Sequence, residues 1–512
     1  MTNAEGVHSA GRVVVLGAGL SGLSAAWRVA RADCQSLTVI EQAGDVGGLA
    51  RTIVTDTDAR YDLGSHRIHV QFMPEPMAVL KETVGDDLLV QPRYGRLRLN
   101  DRWIHYPPTL AAFLAGMGPR LVAAGSIGML RERMPWRSSR QKRRLTSSVK
   151  GSGQKRGQTP SVKGSDPLPA QAEPELSYED LLVHKAGRVI YEVFYEPYAW
   201  KVYGIDPRRV SADAAKIRVT HTSVWEVAAS WLRNRACKPS FYIYPREGIG
   251  TLSHRLAAGA AAAGAEIALN TTVRRIRARA GGGFVIEADS PAGHRTIEAD
   301  TVVSSLPMNL LPDLIEPAAP AAVREAAHRL TWRSLRLVYL ELDATIGSVA
   351  ETYYFPEGRF VFGRISRPQL FSPHMGPTAA AGALCLEVPC SVGDDLWSMT
   401  DEEIAERFRP DLEAFGFIEG RHDILRAFSH RLPRVYPIYN LGWHARLEAV
   451  CRWLRQFDRF FLVGRGGLFN HNNMDHTMQG GLQAGEVIAA GGRADEDWYD
   501  LIDRYRTFRV RD

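Results

Sequence analysis

The sequence predicts an α/β fold: a parallel nucleotide-binding sheet with three-layer ββα packing, interleaved with an α+β second domain made of a sheet and helices. Three observations predict it. The apolar run Val13 to Leu16 opens directly onto Gly17-Ala18-Gly19-Leu20-Ser21-Gly22, a second apolar run (LTVIE) ends in Glu41, and a third (FFLVG, 460–464) leads into glycines and a helix-forming stretch near the end of the chain. Strand, glycine turn, helix and strand in this order make a Rossmann-like dinucleotide-binding unit. Gly17 makes the tight turn, Gly19 lets a pyrophosphate approach bare backbone, and Gly22 lets helix pack on strand. The phosphates then meet the positive end of the helix. Glu41, 19 residues past Gly22, places a carboxylate where it accepts hydrogen bonds from an adenosine ribose and repels a 2′-phosphate.

The next segments narrow the cofactor. GDVGGLART (44–52) supplies a second glycine pair, Gly47 and Gly48, which the plain nicotinamide-binding pattern lacks, and YDLGSHRIH (61–69) follows. Together these motifs resemble the N-terminal signature of FAD-dependent amine oxidases, protoporphyrinogen oxidases, phytoene-desaturase-like enzymes and UDP-galactopyranose mutases. That resemblance implies FAD. It also implies cofactor contacts from Gly17, Ala18, Gly19, Leu20, Ser21 and Gly22, from Glu41 and Gln42, from Gly48, Leu49 and Arg51, and from Gly64, Ser65 and His66. No second GxGxxG unit is visible, so reduction comes from substrate or from an external electron donor, and an external acceptor takes the electrons.

Further along, DDLLVQPRYGRLRLNDRWIHYP (86–107) reads as strands around an Asn100-Asp101 turn. The apolar stretch 110–130 is interrupted by Pro119 and Arg120, so a helical pair with at most peripheral membrane contact is expected rather than a span. From Ser177 a helical segment ends in PYAWKVYG, similar to the superfamily's PYxxKVWG, with Tyr203 where relatives often carry tryptophan. Residues 241–276 return to the cofactor domain as a turn, an Ala-rich helix and a strand ending near Val273, which in related flavoproteins lies beside the adenine. FVIEA and TIEADTVVSSLP (284–307) read as a hairpin arm and a core strand.

LTWRSLRLVYLELD (330–343) alternates like a strand, GALCLEVPC supplies another, and DEEIAERFRPDLEAFG has helical spacing. The final segment, 457–491, reads as a buried strand, a glycine and polar turn, and a helix whose N-terminus near Asp475 points at the flavin ring; a helix start there favours negative charge. Gly464, Arg465, Met474, Asp475 and Thr477, with His476, are therefore expected flavin neighbours. Relatives often place an acid after the glycine of this strand, where Arg465 stands here. The expected domains are 11–92 with 241–310 and 455–495 for FAD, and 93–240 with 311–454 for substrate.

Composition bounds the rest. The 512 residues are 45% hydrophobic and 23% charged, enough for two or three domains. The net charge of +6 is concentrated: 137–165 carries nine Lys and Arg and no acid, so the remaining residues sum to −3. SVKGS occurs there twice, and 137–175 reads as a disordered, solvated basic insertion without the interleaved aromatics of a nucleic-acid binder. Five scattered cysteines, no CxxC and no basic, apolar leader at the N-terminus point to a reducing, cytoplasmic setting. The polar cluster His471, Asn472, Asn473, Asp475 and His476 reads as loop caps, and no metal is expected.

Flavin chemistry asks the protein mainly to orient substrate and place charge. The candidate shapers are His66, in the GSH turn, with Tyr203, Arg333, Tyr354, Arg364, Arg434 and Tyr436. Two reactions fit the resemblance. One is dehydrogenation of a small organic substrate by hydride transfer to flavin N5. The other is redox-neutral isomerisation of a nucleotide sugar by reduced FAD, since YEPYAWKVYG, WRSLR, RLPRVYPIY and NNMDH have counterparts in UDP-galactopyranose mutases.

Overall fold

The computed structural model describes residues 11–32, 34–106, 110–118, 175–218, 240–377, 382–508 and 510. The basic insertion lies outside these residues apart from Glu175, as does the apolar stretch beyond residue 118.

Five parallel strands form one sheet in the order Glu266–Ala268, Ser36–Ile40, Arg12–Leu16, Thr301–Ser304, Phe460–Leu462. A parallel sheet is covered on both faces, and Val13 through Leu16 are at most 1% exposed. The helix Leu20–Val29 packs against Met474–Ala489 through glycines. A Cβ at Gly481 would collide with the Ser21 carbonyl, and one at Gly485 would lie 2.6 Å from the Arg28 Cβ, so only glycine permits this approach.

A four-stranded arm follows, ordered Gly293–Ala299, Phe284–Ser290, Thr272–Ala278, Ile315–Glu316. Here the structure departs from the expectation of one strand ending near Val273. The parallel strand stops at Ala268, and Val273 lies at the start of a new antiparallel strand. Asn270 causes the break with a left-handed φ of 51°, which Asn tolerates better than its neighbours would.

The largest sheet has seven strands, ordered Ile424–Pro437, Trp332–Leu342, Gly382–Cys390, Arg364–Ser366, Thr352–Tyr354, Gly95–Leu99, Arg102–Tyr106. The hairpin 95–106 turns at Asn100 and Asp101, with φ of 48° and 60°, the hand that suits strand twist. Leu88–Pro92, read with that hairpin, instead joins Phe241–Pro245 and Ile68–His69 in a separate sheet. The alternation of 332–342 also takes another meaning, since every position from Arg333 to Leu342 is buried. Val338, Leu340 and Leu342 enter a core with Phe355, Phe362 and Phe408, while Leu335, Leu337 and Tyr339 enter another with Tyr61 and Leu63. Each face of the strand thus packs on its own core.

After the last parallel strand the chain forms a one-turn helix, Gly464–Leu468, where a glycine and polar turn was expected. Among the described residues, no helix is long and apolar enough to cross a membrane, and no group of three or more His, Cys, Asp or Glu is placed to hold a metal ion.

Candidate functional site at the seam of glycine loops and sheet

The glycine loops build a cradle by different steric demands. Gly17 has φ 98° and a Cβ there would strike the Ser305 hydroxyl; a Cβ at Gly22 would strike the Gly17 carbonyl. Both pack protein on protein. Gly19 differs, because a Cβ there would have nothing within 4 Å. This open side, at the start of the helix Leu20–Val29, fits a pyrophosphate approaching backbone amides. The second glycine pair closes against the first: Gly47 N donates to the Ala18 carbonyl at 2.8 Å, Gly19 bridges Gly47, and a Cβ on Gly48 would lie 3.1 Å from the Gly19 Cα.

Glu41 spans this cradle. Its carboxylate accepts from Ala18 N at 2.8 Å and from Ala43 N at 2.9 Å, while its own backbone bonds Ala268 and Thr271. Gln42 beside it is exposed. The turn before Val273 is thereby tied to the acid at the tip of the second strand. Ser21 is buried at the helix start, and a Cβ on Gly464 would strike its hydroxyl, so the last parallel strand ends against the first glycine loop.

The sheet meets these loops through ion pairs. Glu387, isolated in an otherwise apolar run, holds Arg364 by two bonds of 2.8 Å and accepts the Ser65 amide at 2.9 Å, beside Gly64 with φ 92°. Burial would push the Arg364 guanidinium down, but Glu387, with Tyr354 and Tyr436, more than reverses this, holding it well above its ordinary value. Arg67 forms a neighbouring knot with Glu351 at 3.1 Å, the Tyr354 hydroxyl at 3.1 Å and the Thr352 hydroxyl.

His66 lies between loops. Its Nε2–H donates to the Leu49 and Leu63 carbonyls, at 3.1 and 3.0 Å, which defines the tautomer, and burial pushes its pKa down, so the ring is neutral. Arg51 donates to the His430 Nε2 at 3.3 Å; burial first, and Arg51's charge second, push His430 down. Arg434 is exposed within a bulge where strand Ile424–Pro437 carries two extra residues opposite Arg333 and Leu335; bulges re-aim side chains. Tyr436 stacks on His471 at 5.1 Å with the Arg465 guanidinium over its ring.

Several expected residues are occupied otherwise. Arg333 donates to Ser391 Oγ and to the carbonyls of Lys201 and Pro389, lies 7% exposed, and fills the space a Cβ at Gly204 would take; burial pushes its pKa down. It ties the end of helix Glu196–Tyr203 to the sheet. Tyr203 is buried in the core, edge-on to Tyr178. Arg465, an expected flavin neighbour, donates to the carbonyls of Val435 and Asn472 at 3.2 and 2.7 Å. It thereby clamps the turn ahead of helix Met474–Ala489. Asn473 caps that helix, Thr477 Oγ1 donates to the Asn473 carbonyl, Asp475 is buried, and Met474 is half-buried at the helix start. The helix N-terminus is thus rigidly aimed.

Glu387, Arg67, Glu351 and His430 were not foreseen from sequence. A lone acid in an apolar run, as in GALCLEVPC, was the available signal for Glu387, because a buried carboxylate needs a partner.

Residues 20–490 match the model of the flavin containing amine oxidoreductase family. Among solved structures, a reduced UDP-galactopyranose mutase superposes with a TM-score of 0.74 at 17% identity, covering 97% of this chain and 99% of that one. A candidate protoporphyrinogen oxidase from Exiguobacterium sp. 255-15 gives 0.63 at 18% identity, covering 96% and 100%. A double mutant of putrescine oxidase gives 0.59 at 16%, covering 94% and 99%.

Proposed function

The chain belongs to the flavin containing amine oxidoreductase family and is an FAD-dependent enzyme, and on that premise we propose that its substrate is an organic anion of the nucleotide-sugar class. One observation carries this reading: among the described residues, neither Arg51 nor Arg434 meets a carboxylate. Guanidiniums without a paired carboxylate repel the ammonium of an amine and suit a diphosphate, which they grip in bidentate fashion. The 0.74 superposition on a mutase acting on a nucleotide sugar points the same way.

The residues divide the work. Gly19 and the helix start at Leu20 receive the pyrophosphate of FAD, and Glu41 faces its ribose. Bound FAD supplies the electron chemistry, as hydride acceptor when oxidised and as electron-rich centre when reduced. Glu387 and Arg364 hold the Ser65 turn in place, and neutral His66 locks Leu49 to Leu63, so the loop beneath the flavin ring keeps its shape. Arg51 and Arg434 orient the anion, and Tyr436 is held by its stack on His471.

The test uses holoenzyme with and without prior reduction by dithionite. Conversion of UDP-galactopyranose to its ring isomer by the reduced enzyme alone, without net oxidation, is the expected result. Release of hydrogen peroxide with an amine, and no turnover of nucleotide sugars, would overturn the reading in favour of dehydrogenation by hydride transfer to flavin N5. Peroxide release with a porphyrinogen would keep an anionic substrate and replace its class.

A further inference from the structure

A second cationic cleft, of about 380 Å³, is lined by Arg209, His328, Arg329, Thr331, Asn440, Leu441 and Arg446. Four chain segments distant in sequence build it: the turn Pro207–Arg209, the end of helix Ala321–His328, the entry to strand Trp332–Leu342, and the turn leading into helix Trp443–Leu454. Backbone bonds lock them together. Leu441 N donates to the Arg209 carbonyl at 2.8 Å, Ile438 N to Thr331 at 2.9 Å, and Trp443 N to Asn440 at 2.9 Å. The walls are therefore set by main chain.

The charges in this cleft are poorly compensated. Arg446, half-buried, is pinned by Asn440 Oδ1 and the Leu441 carbonyl, both at 2.7 Å, neither of which carries charge. Burial first and the nearby Arg329 second push its pKa down, with Glu175 opposing them in part, so the two guanidiniums repel each other. Among the described residues, the ion-pair partner of Arg329 is Glu325, 3.7 Å away with both side chains more than 60% exposed, a pair that water screens strongly. The Arg209 side chain is exposed, and the charge it feels, Asp206, is already held by Arg208. Glu175 stands at the rim but accepts from Gly442 N at 2.6 Å, and His328 is paired with Asp313 at 2.6 Å. Three arginines line this concavity and, among the described residues, no carboxylate does, since Glu175, Glu325 and Asp206 all stand outside its lining.

We infer that this cleft is a binding site for a small phosphate-bearing anion, with Arg209, Arg329 and Arg446 as its ligands. The geometry suits it: the Arg446 fork is held by Asn440 and the Leu441 carbonyl, Arg209 and Arg329 line the same cleft from other segments of the chain, and Thr331 and Asn440 add polar groups. Guanidinium forks match the oxygens of a phosphate. An anion here also relieves the repulsion between Arg329 and Arg446, so its binding stabilises the native state by mass action. The inference does not depend on the substrate reading above, because Arg209, Arg329 and Arg446 are absent from the seam.

The experiment uses FAD-loaded enzyme, so that the pyrophosphate cradle is filled, and titrates inorganic phosphate, pyrophosphate and a soluble phosphomonoester by calorimetry and thermal denaturation. Vesicles carrying anionic phospholipid form a separate arm. Saturable binding of a soluble probe, a rise in Tm with probe concentration, and weakening of at least tenfold in the double variant R209E/R329E, with flavin content and basal turnover unchanged, are expected. Binding to vesicles alone would assign the phosphate to a lipid headgroup and overturn a small-molecule site. Absence of saturable binding, or equal binding by wild type and R209E/R329E, would overturn the inference altogether. Arg446→Met is a second variant; its loss of affinity with unchanged Tm in the absence of probe separates ligand contact from folding.

Discussion

Gly19→Ala separates cofactor binding from folding more cleanly than any other change in the glycine loop. Its backbone sits at φ −72°, ψ 171°, an extended conformation open to any residue, and an added Cβ meets nothing within 4 Å. Alanine therefore fits the apoprotein and removes chain entropy from the unfolded state, for a gain of about 0.4–1 kcal/mol. The same methyl projects into the space where a pyrophosphate must approach the helix amides. Each charge-assisted bond displaced costs about 1.5–3 kcal/mol, or roughly 10- to 150-fold in Kd. The assay is paired: flavin fluorescence titration of apoprotein with FAD, and thermal denaturation of both apo forms. A G19A apoprotein as stable as wild type, with FAD affinity reduced by at least tenfold, is expected. Unchanged affinity, or a large loss of apo stability, would refute the assignment of the open side of Gly19 to the cofactor. Gly17→Ala is the contrast, because φ 98° and the Ser305 hydroxyl penalise folding itself.

Three further outcomes are expected. Glu387→Ala strands the Arg364 guanidinium and the Ser65 amide and should cost about 3 kcal/mol, the lower end for a buried pair because Arg364 keeps 22% of its side chain exposed; urea titration measures it, and a loss below 1 kcal/mol would show the pair to be dispensable. Gly481→Ala, driven into the Ser21 carbonyl, should destabilise by roughly 1–3 kcal/mol, whereas Gly480→Ala, whose Cβ has its nearest neighbour at 3.7 Å, should be neutral or stabilising; equal Tm values would contradict this packing. Lys201 donates to the carbonyls of Phe355, Glu357 and Phe362, and burial pushes its pKa from 10.5 down to about 7. Its folded value lies below its unfolded one, so between about pH 7 and 10.5 the unfolded chain holds the proton that the native state has released. Stability should therefore rise with pH across that window by up to about 1.4 kcal/mol per unit, and Lys201→Met should lack this rise; parallel unfolding curves for the two proteins from pH 7 to 9.5 would exclude it.

Much of the architecture was legible in the chain because its signals are local. A strand that runs into three glycines at fixed spacing, with an acid closing the next strand, can be recognised without contacts, and in the structure Gly17 makes the turn, Gly22 packs helix on strand and Glu41 follows the second strand. The Asn100-Asp101 hairpin and the helix starting at Met474 were readable for the same reason. Where one residue decided the outcome against a longer pattern, the reading slipped. Asn270 ends the strand expected to reach Val273, and Pro92 to Tyr94 divides 86–107 between two sheets.

The side-chain roles were less legible because an arginine's partner is a tertiary fact. Arg333, Arg364, Arg434 and Arg465 look alike in the sequence, yet one caps a helix end, one pairs with Glu387, one stands exposed in a bulge and one clamps the turn ahead of helix Met474–Ala489.

The sequence by itself determined the nucleotide-binding unit, the FAD family and the glycines its turns require, since backbone conformation and spacing are properties of neighbours in the chain. Only the tertiary structure decided which charges are spent and which remain. Burial and pairing depend on residues hundreds of positions apart, such as Ser65 with Glu387 or Arg209 with Leu441. Folding pairs Arg364 with Glu387 and Arg67 with Glu351, while among the described residues Arg51 and Arg434 meet no carboxylate.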